Sequence, residues 1–263
     1  MDLELTGKTA LVSGSTAGIG LAIVKGLARQ GATVWLNGRT QARVDAALAE
    51  VRKAVGGAKV GGIAADAATA EGCRAIAAAL PEADVLVNNL GIYERAVFEE
   101  IGDADWQRFF DVNVMSGVRL TRHYLPAMRR RNWGRIVFVS SESATHIPPD
   151  MVHYGMSKTA QVAIARGVAE TLVGTGVTVN SVLPGPTRAE TMEKRLAAAR
   201  AEGKSEADFE REFFDQRRPS SLIRRFTTTE EVANMVCYVC SPAASGTTGA
   251  ALRVEGGVVR AIF

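Results

Sequence analysis

A glycine-rich turn between a strand and a helix near the start of the chain constrains the fold more than any other feature. Thr9-Ala10-Leu11-Val12 reads as a strand. Ser13-Gly14-Ser15-Thr16-Ala17-Gly18-Ile19-Gly20 leads from it into a helix over residues 18–30, closed by Gly31. Gly14 allows the turn, Gly18 lets the backbone approach a pyrophosphate, and Gly20 lets helix and strand pack closely. The N-terminus of a helix offers free N–H groups and about half a positive charge, which suit phosphate. The strand-turn-helix context separates this segment from a merely structural tight turn.

The rest of the chain repeats the alternation. Strands are expected at 33–36, 59–65, 84–87, 135–140, 177–182 and 251–254. Helices are expected at about 41–54, 69–80, 104–130 and 151–173, with two more before the last strand. Such a pattern predicts an α/β fold: one doubly wound, Rossmann-type domain with a parallel seven-stranded sheet and helices on both faces. No linker, repeat or low-complexity tract divides residues 1–263. The charged segment 188–226 breaks the alternation and reads as a small helical substrate lid over the sheet's carboxyl edge.

Bulk chemistry excludes several classes of function. With 31 basic and 28 acidic residues, the net charge of +3 marks neither a nucleic-acid nor a membrane surface. No apolar run approaches the ~20 residues of a spanning helix. The N-terminus is acidic and does not read as a signal peptide. Three cysteines, an odd count in a long chain, argue against a disulfide framework. These features together predict a cytoplasmic protein.

The end of the second strand bears on which dinucleotide would bind. The residues there are Asn37-Gly38-Arg39-Thr40, with no carboxylate for a ribose 2′-hydroxyl. A guanidinium fits a 2′-phosphate bidentately, so Arg39 favours NADP(H) over NAD(H). Asp66, past the third strand, either meets an adenine amino group or caps the next helix.

A second group of residues carries proton chemistry. Tyr154 and Lys158 are four apart on an expected helix and therefore share one face. An ammonium beside a phenol, whose pKa is ordinarily ~10, favours the phenolate. Ser140-Ser141 ends the fifth strand at the same edge, where a hydroxyl would polarise a carbonyl.

These residues resemble the classical short-chain dehydrogenase/reductase family, and the resemblance covers essentially the whole chain. Gly14-x-x-x-Gly18-x-Gly20 has the family's glycine spacing. Asn88-Asn89-Leu90-Gly91 is similar to its Asn-Asn-Ala-Gly segment, with Leu for Ala at position 90. Asn113, Ser141, Tyr154 and Lys158 match the catalytic set, and Pro184-Gly185 matches the turn bordering the nicotinamide. Arg253-Val254-Glu255-Gly256-Gly257 resembles the closing strand and its glycine pair.

The resemblance implies hydride transfer between nicotinamide and a carbonyl or secondary alcohol. Tyr154 would move the proton, Lys158 would lower the tyrosine pKa and bond the ribose, and Ser141 (rather than Ser140) would orient the carbonyl. Asn113 would hold a water linking Lys158 to solvent. Cofactor contacts are expected from Gly14, Ser15, Thr16, Gly18, Ile19, Gly20, Asn37, Arg39, Asp66, Asn89, Gly91, Tyr154, Lys158, Pro184 and Gly185. Ala189 stands where the family often has Thr, which leaves Thr187, favoured here, or Thr191 for the carboxamide. No metal is expected. A homotetramer or homodimer is expected from the family, and the apolar ending 258–263 suits either an interface or the chain's own core.

Four further features are read as structural. Cys237-x-x-Cys240 lies late in an apolar helix without a partner pair. Arg129-Arg130-Arg131 closes a helix, where cations suit the dipole. His153, just before Tyr154, is expected to point away from it. Arg217, Arg218, Arg224 and Arg225 are expected at the surface in salt bridges, with attraction of an anionic substrate as the alternative. A 3-oxoacyl-carrier reductase and an NAD-dependent alcohol dehydrogenase share these motifs. Outside enzymes, a catalytically silent NADP-binding regulator would need no proton relay, and all four relay residues are present.

Overall fold

Every strand carries apolar residues on both faces, as a sheet covered on both sides demands. The computed structural model, which describes residues 2–262, places them in one parallel sheet. The strands are β1 (Thr9–Val12), β2 (Thr33–Gly38), β3 (Val60–Ala64), β4 (Val85–Asn88), β5 (Gly134–Val139), β6 (Val177–Pro184) and β7 (Ala251–Val254), in spatial order β3-β2-β1-β4-β5-β6-β7. Side-chain alternation sorts them into two cores. Val12, Val87 and Val137 pack on one face, whereas Leu11, Leu86 and Ile136 pack on the other.

The first core is closed by α1 (Gly18–Arg29), α2 (Gln41–Ala54) and α9 (Thr229–Val239). The second is closed by α3 (Ala70–Ala79), α5 (Ser116–Arg130) and α6 (Val152–Glu170). Helix starts follow the side chains that can satisfy orphan N–H groups. Thr69 accepts from Gly72 N at 2.9 Å, and Thr228 forms a capping box with Glu231. Asp66 is therefore not the cap of α3; its carboxylate accepts from Ala68 N at 3.1 Å and holds the turn before the helix.

One expected element differs in detail. The helix read over 104–130 is α4 (Asp103–Phe109), a π-helical stretch (Phe110–Met115) and α5 in continuous succession. Periodicity cannot register one wide turn, and such turns recur where a side chain must be re-aimed. Asn113 lies in it and is fully buried.

Two helices, α7 (Glu190–Ala201) and α8 (Glu206–Arg217), form the segment that breaks the alternation. It has a small core of its own, in which Phe213, Phe214 and Phe226 pack together with Met192 and Phe209.

Candidate active site

In an open parallel sheet, ligands lie beyond the strands' carboxyl ends, where the strand order reverses. Here β1 pairs with both β2 and β4, so the reversal falls between β1 and β4. A cleft of about 400 Å³ opens there, bordered by Ala17, Gly18, Ile19, Asn89, Gly91, Ser141, Tyr154, Lys158, Pro184, Gly185 and Thr187. A second, smaller pocket adjoins the turn and is bordered by Gly14, Thr16, Asn37, Arg39, Arg43 and Asp66.

The turn is held by side chains the sequence reading assigned to the cofactor. Ser15 donates to Val12 O at 2.6 Å and accepts from Asn37 N at 3.0 Å. Asn37 accepts from Gly14 N at 3.2 Å and donates to Ile63 O and Ala65 O. Both side chains are buried and brace the loop, and Asn37 also borders the smaller pocket. Gly14 has φ +58°, the left-handed conformation that favours glycine. A Cβ on Gly20 would stand 2.8 Å from the Gly14 carbonyl oxygen, so no larger residue fits. No side chain caps α1, and its first turn carries no acid. Its orphan N–H groups fit a dinucleotide pyrophosphate.

Tyr154 and Lys158 occupy the first turns of α6, with Lys158 Nζ 5.7 Å from the tyrosine ring centre. Lys158 is 4% exposed and donates to Val139 O at 3.0 Å and to Gln161 Oε1 at 3.2 Å. Neither partner is a carboxylate, so burial pushes its pKa down to about 7. Burial also holds the Tyr154 phenol above its usual value; the Ser141 hydroxyl opposes this, Glu142 and Tyr93 add to it, and Arg218 opposes it. Lys158 is not among the groups that set this direction.

Both serines border the cleft but differ in what they bond. Ser140 donates to the Lys158 carbonyl at 2.8 Å and fixes α6 against β5. Ser141 donates to Glu142 Oε2 at 2.6 Å at the wall of the cleft. Asn113 does not border the cleft. Its amide accepts from Ile92 N at 2.7 Å and donates to Ile92 O and Ser157 Oγ. Its backbone carbonyl accepts from Gln161 Nε2. The Gln161 side chain thus joins Lys158 to the Asn113 carbonyl.

The remaining residues sort as follows. Thr187 donates to Gly185 O at 2.9 Å or shares its proton with Thr227 at the same distance; Thr191 borders the cleft as well. His153 sits against Phe109 and Trp106, away from the cleft, and burial lowers its pKa. Cys237 and Cys240 are buried free thiols, and among the described residues no three His, Cys, Asp or Glu side chains cluster as metal ligands would. Among those residues, too, no helix is long and apolar enough to cross a membrane. Arg224 and Arg225 make the expected surface pairs with Asp215 and Glu231. Arg218 does not: it is 7% exposed and bonds Glu142. Val258 is buried and Ile262 is exposed, while Phe263 lies outside the described residues.

Residues 14–259 match the family model described as enoyl-(acyl carrier protein) reductase. The chain is 46% identical to the uncharacterized oxidoreductase YvaG of Bacillus subtilis, over the full length of both. The chain is a member of the classical short-chain dehydrogenase/reductase family. A second relative of this family, the D-beta-hydroxybutyrate dehydrogenase of Cupriavidus necator, is 35% identical over 97% of this chain and 99% of its own. The solved L-sorbose reductase of Gluconobacter frateurii, complexed with NADPH and L-sorbose, superposes with a TM-score of 0.91 at 30% identity, covering all of both chains. The protein is therefore an oxidoreductase of this family with a nicotinamide cofactor.

Arg43, Gln161 and Glu142 were not singled out by the sequence, and Arg218 was expected at the surface. Arg43 shares the smaller pocket with Arg39, one turn of α2 further on. Gln161 is a polar residue at a buried position of α6, which no local pattern flags. Glu142 and Arg218 are 76 residues apart, and only the fold brings them together.

Proposed function

We propose that the protein is an NADP(H)-dependent oxidoreductase that interconverts a carbonyl compound and its secondary alcohol. The observation that carries this reading is the meeting of Ser141, Tyr154 and Lys158 at one cleft wall beside the α1 turn. A bound nicotinamide supplies the hydride for reduction and accepts it in oxidation. The α1 N–H groups hold the pyrophosphate, and Arg39 with Arg43 receives the 2′-phosphate, since both guanidinium groups border the smaller pocket. Lys158 bonds the nicotinamide ribose, and Pro184, Gly185 and Thr187 flank the ring.

Ser141 bonds the carbonyl oxygen, and Tyr154 donates the proton that makes it an alcohol. Lys158, near its titration point at neutral pH, serves as the group that restores the tyrosine proton. The segment 188–226 acts as the substrate lid, since Met192, Arg195 and Phe213 border the cleft. The convergence of proton donor, lysine and serine favours an enzyme over a silent regulator.

The test follows NADPH and NADH consumption with L-sorbose, acetoacetate and an acetoacetyl thioester, for wild type and Tyr154→Phe. Oxidation of NADPH by at least one carbonyl, lost in Tyr154→Phe, is expected. Binding of NADPH without turnover of any carbonyl would favour the regulator instead.

A further inference from the structure

A carboxylate buried away from water is costly unless a cation and several donors meet it. Glu142, directly after Ser141, is such a group, at 4% exposure. Its Oε1 accepts from Arg218 Nε at 2.9 Å, and Arg218 Nη2 stands 2.7 Å from the same oxygen. Its Oε2 accepts from Ser141 Oγ at 2.6 Å, Ser143 N at 3.0 Å and Ser143 Oγ at 3.3 Å. Both partners of this ion pair are under 10% exposed, whereas the next most enclosed pairs have an arginine or lysine stem exposed by 18% or more.

Arg218 closes α8, so it belongs to the segment beside the cleft, while Ser141 and Glu142 belong to the end of β5. We propose that Glu142 is a positioning residue for Ser141, and that Arg218 is the group through which the 188–226 segment holds Glu142 in place. This inference rests on Ser141 and Tyr154 having the roles given above.

The geometry explains how the pair acts. Ser141 has one hydroxyl proton, and it donates it in a hydrogen bond to Glu142 Oε2. Ser143 N donates to Ser141 Oγ at 3.1 Å, which leaves one lone pair of that oxygen for the cleft. In this state Ser141 is set to accept from a substrate alcohol. For carbonyl reduction the serine proton turns to the substrate oxygen. Glu142 Oε2 then keeps the Ser143 N–H, so the turn does not strip it of donors. Removing Arg218 removes the cation that fixes the carboxylate, and Ser141 loses its fixed rotamer.

The pair also sets the charge beside Tyr154. The groups facing that phenol are Ser141 and Glu142 after β5, Tyr93 after β4 with ring centres 6.3 Å apart, Arg218 from the 188–226 segment, and Lys158 on its own helix. Glu142→Gln deletes a negative neighbour and Arg218→Met deletes a positive one, so the two act on the phenol in opposite directions.

The experiment is an ultraviolet difference titration of tyrosinate in NADP+-saturated protein, with Tyr154→Phe as the blank. It needs no turnover, so it is independent of which carbonyl is the substrate. In Glu142→Gln the titration point should fall by about one unit, and in Arg218→Met it should rise by about one unit. Arg218→Lys, which keeps the charge, should stay within about half a unit of wild type. With the carbonyl found in the assay above, Glu142→Gln should lower kcat roughly ten- to a hundred-fold while the Kd for NADP+ is unchanged. Shifts of the same sign in Glu142→Gln and Arg218→Met would overturn the proposal. So would a wild-type titration point and kcat in Glu142→Gln, which is isosteric and decides the matter even if Arg218→Met does not fold.

Discussion

The Gln161 side chain joins Lys158 to Asn113: its oxygen accepts from Lys158 Nζ at 3.2 Å, and its nitrogen donates to the Asn113 carbonyl. A buried lysine is thereby tied to the π-helical turn through a neutral amide rather than a charge. The amide has a donor end and an acceptor end, and both are used.

Replacing that amide should be expensive for its size. Gln161→Leu removes the side-chain bond to the Asn113 carbonyl and leaves one buried Lys158 N–H without its partner. A cost of about 1–3 kcal/mol per unmet buried group is expected. Urea denaturation at neutral pH measures it, and an unchanged midpoint would mean that neither bond contributes.

Lys158 makes stability depend on pH. Its folded pKa is about 7, below the 10.5 of a free lysine. Between those values the unfolded chain binds more protons than the folded one, so stability rises with pH across that window. Below pH 7 the folded protein carries a buried ammonium and bears the full penalty. Lys158→Met should therefore be the more stable protein at pH 6, by a few kcal/mol at about 1.4 kcal/mol per unit, and the advantage should shrink toward pH 10. Denaturant midpoints at several pH values test it; a constant difference would refute it.

The two serines at the end of β5 should fail differently. Ser141→Ala removes the hydroxyl at the cleft and should lower kcat by about 10²–10³, as loss of an oxyanion donor does. Ser140→Ala removes the bond to the Lys158 carbonyl. It should cost about 1 kcal/mol of stability and lower kcat far less. Steady-state kinetics with thermal melts separates the two losses.

Cofactor choice should be divided between two arginines. Arg39 and Arg43 border one pocket, and Arg43 also reaches Glu190 at 3.5 Å across the cleft. Arg39→Asp should raise the KM for NADPH by roughly ten- to a hundred-fold, the worth of a charge-assisted hydrogen bond, and favour NADH. Arg43→Ala should weaken NADPH less and leave NADH unaffected. If neither variant changes the NADPH-to-NADH ratio, the 2′-phosphate is bound elsewhere.

Much of this was legible in the chain itself. The seven strands were legible as short apolar runs between turn residues and helical stretches, which is a local property. The Gly14–Gly20 turn was legible because only glycine meets its backbone geometry. The π-helical turn at Phe110–Met115 was not, since hydrophobic spacing averages over several turns. Asp66 was left between two roles, and the structure gives the capping role to Thr69.

The sequence alone determined the sheet, the glycine turn and the candidate pair Tyr154 and Lys158, because each rests on residues close together along the chain. The tertiary structure decided what surrounds them: that burial lowers Lys158, that Gln161 joins it to Asn113, and that Arg218 meets Glu142 behind Ser141. Burial and the pairing of charges depend on what packs against a group. For partners 76 residues apart, that is fixed only when the chain closes over them.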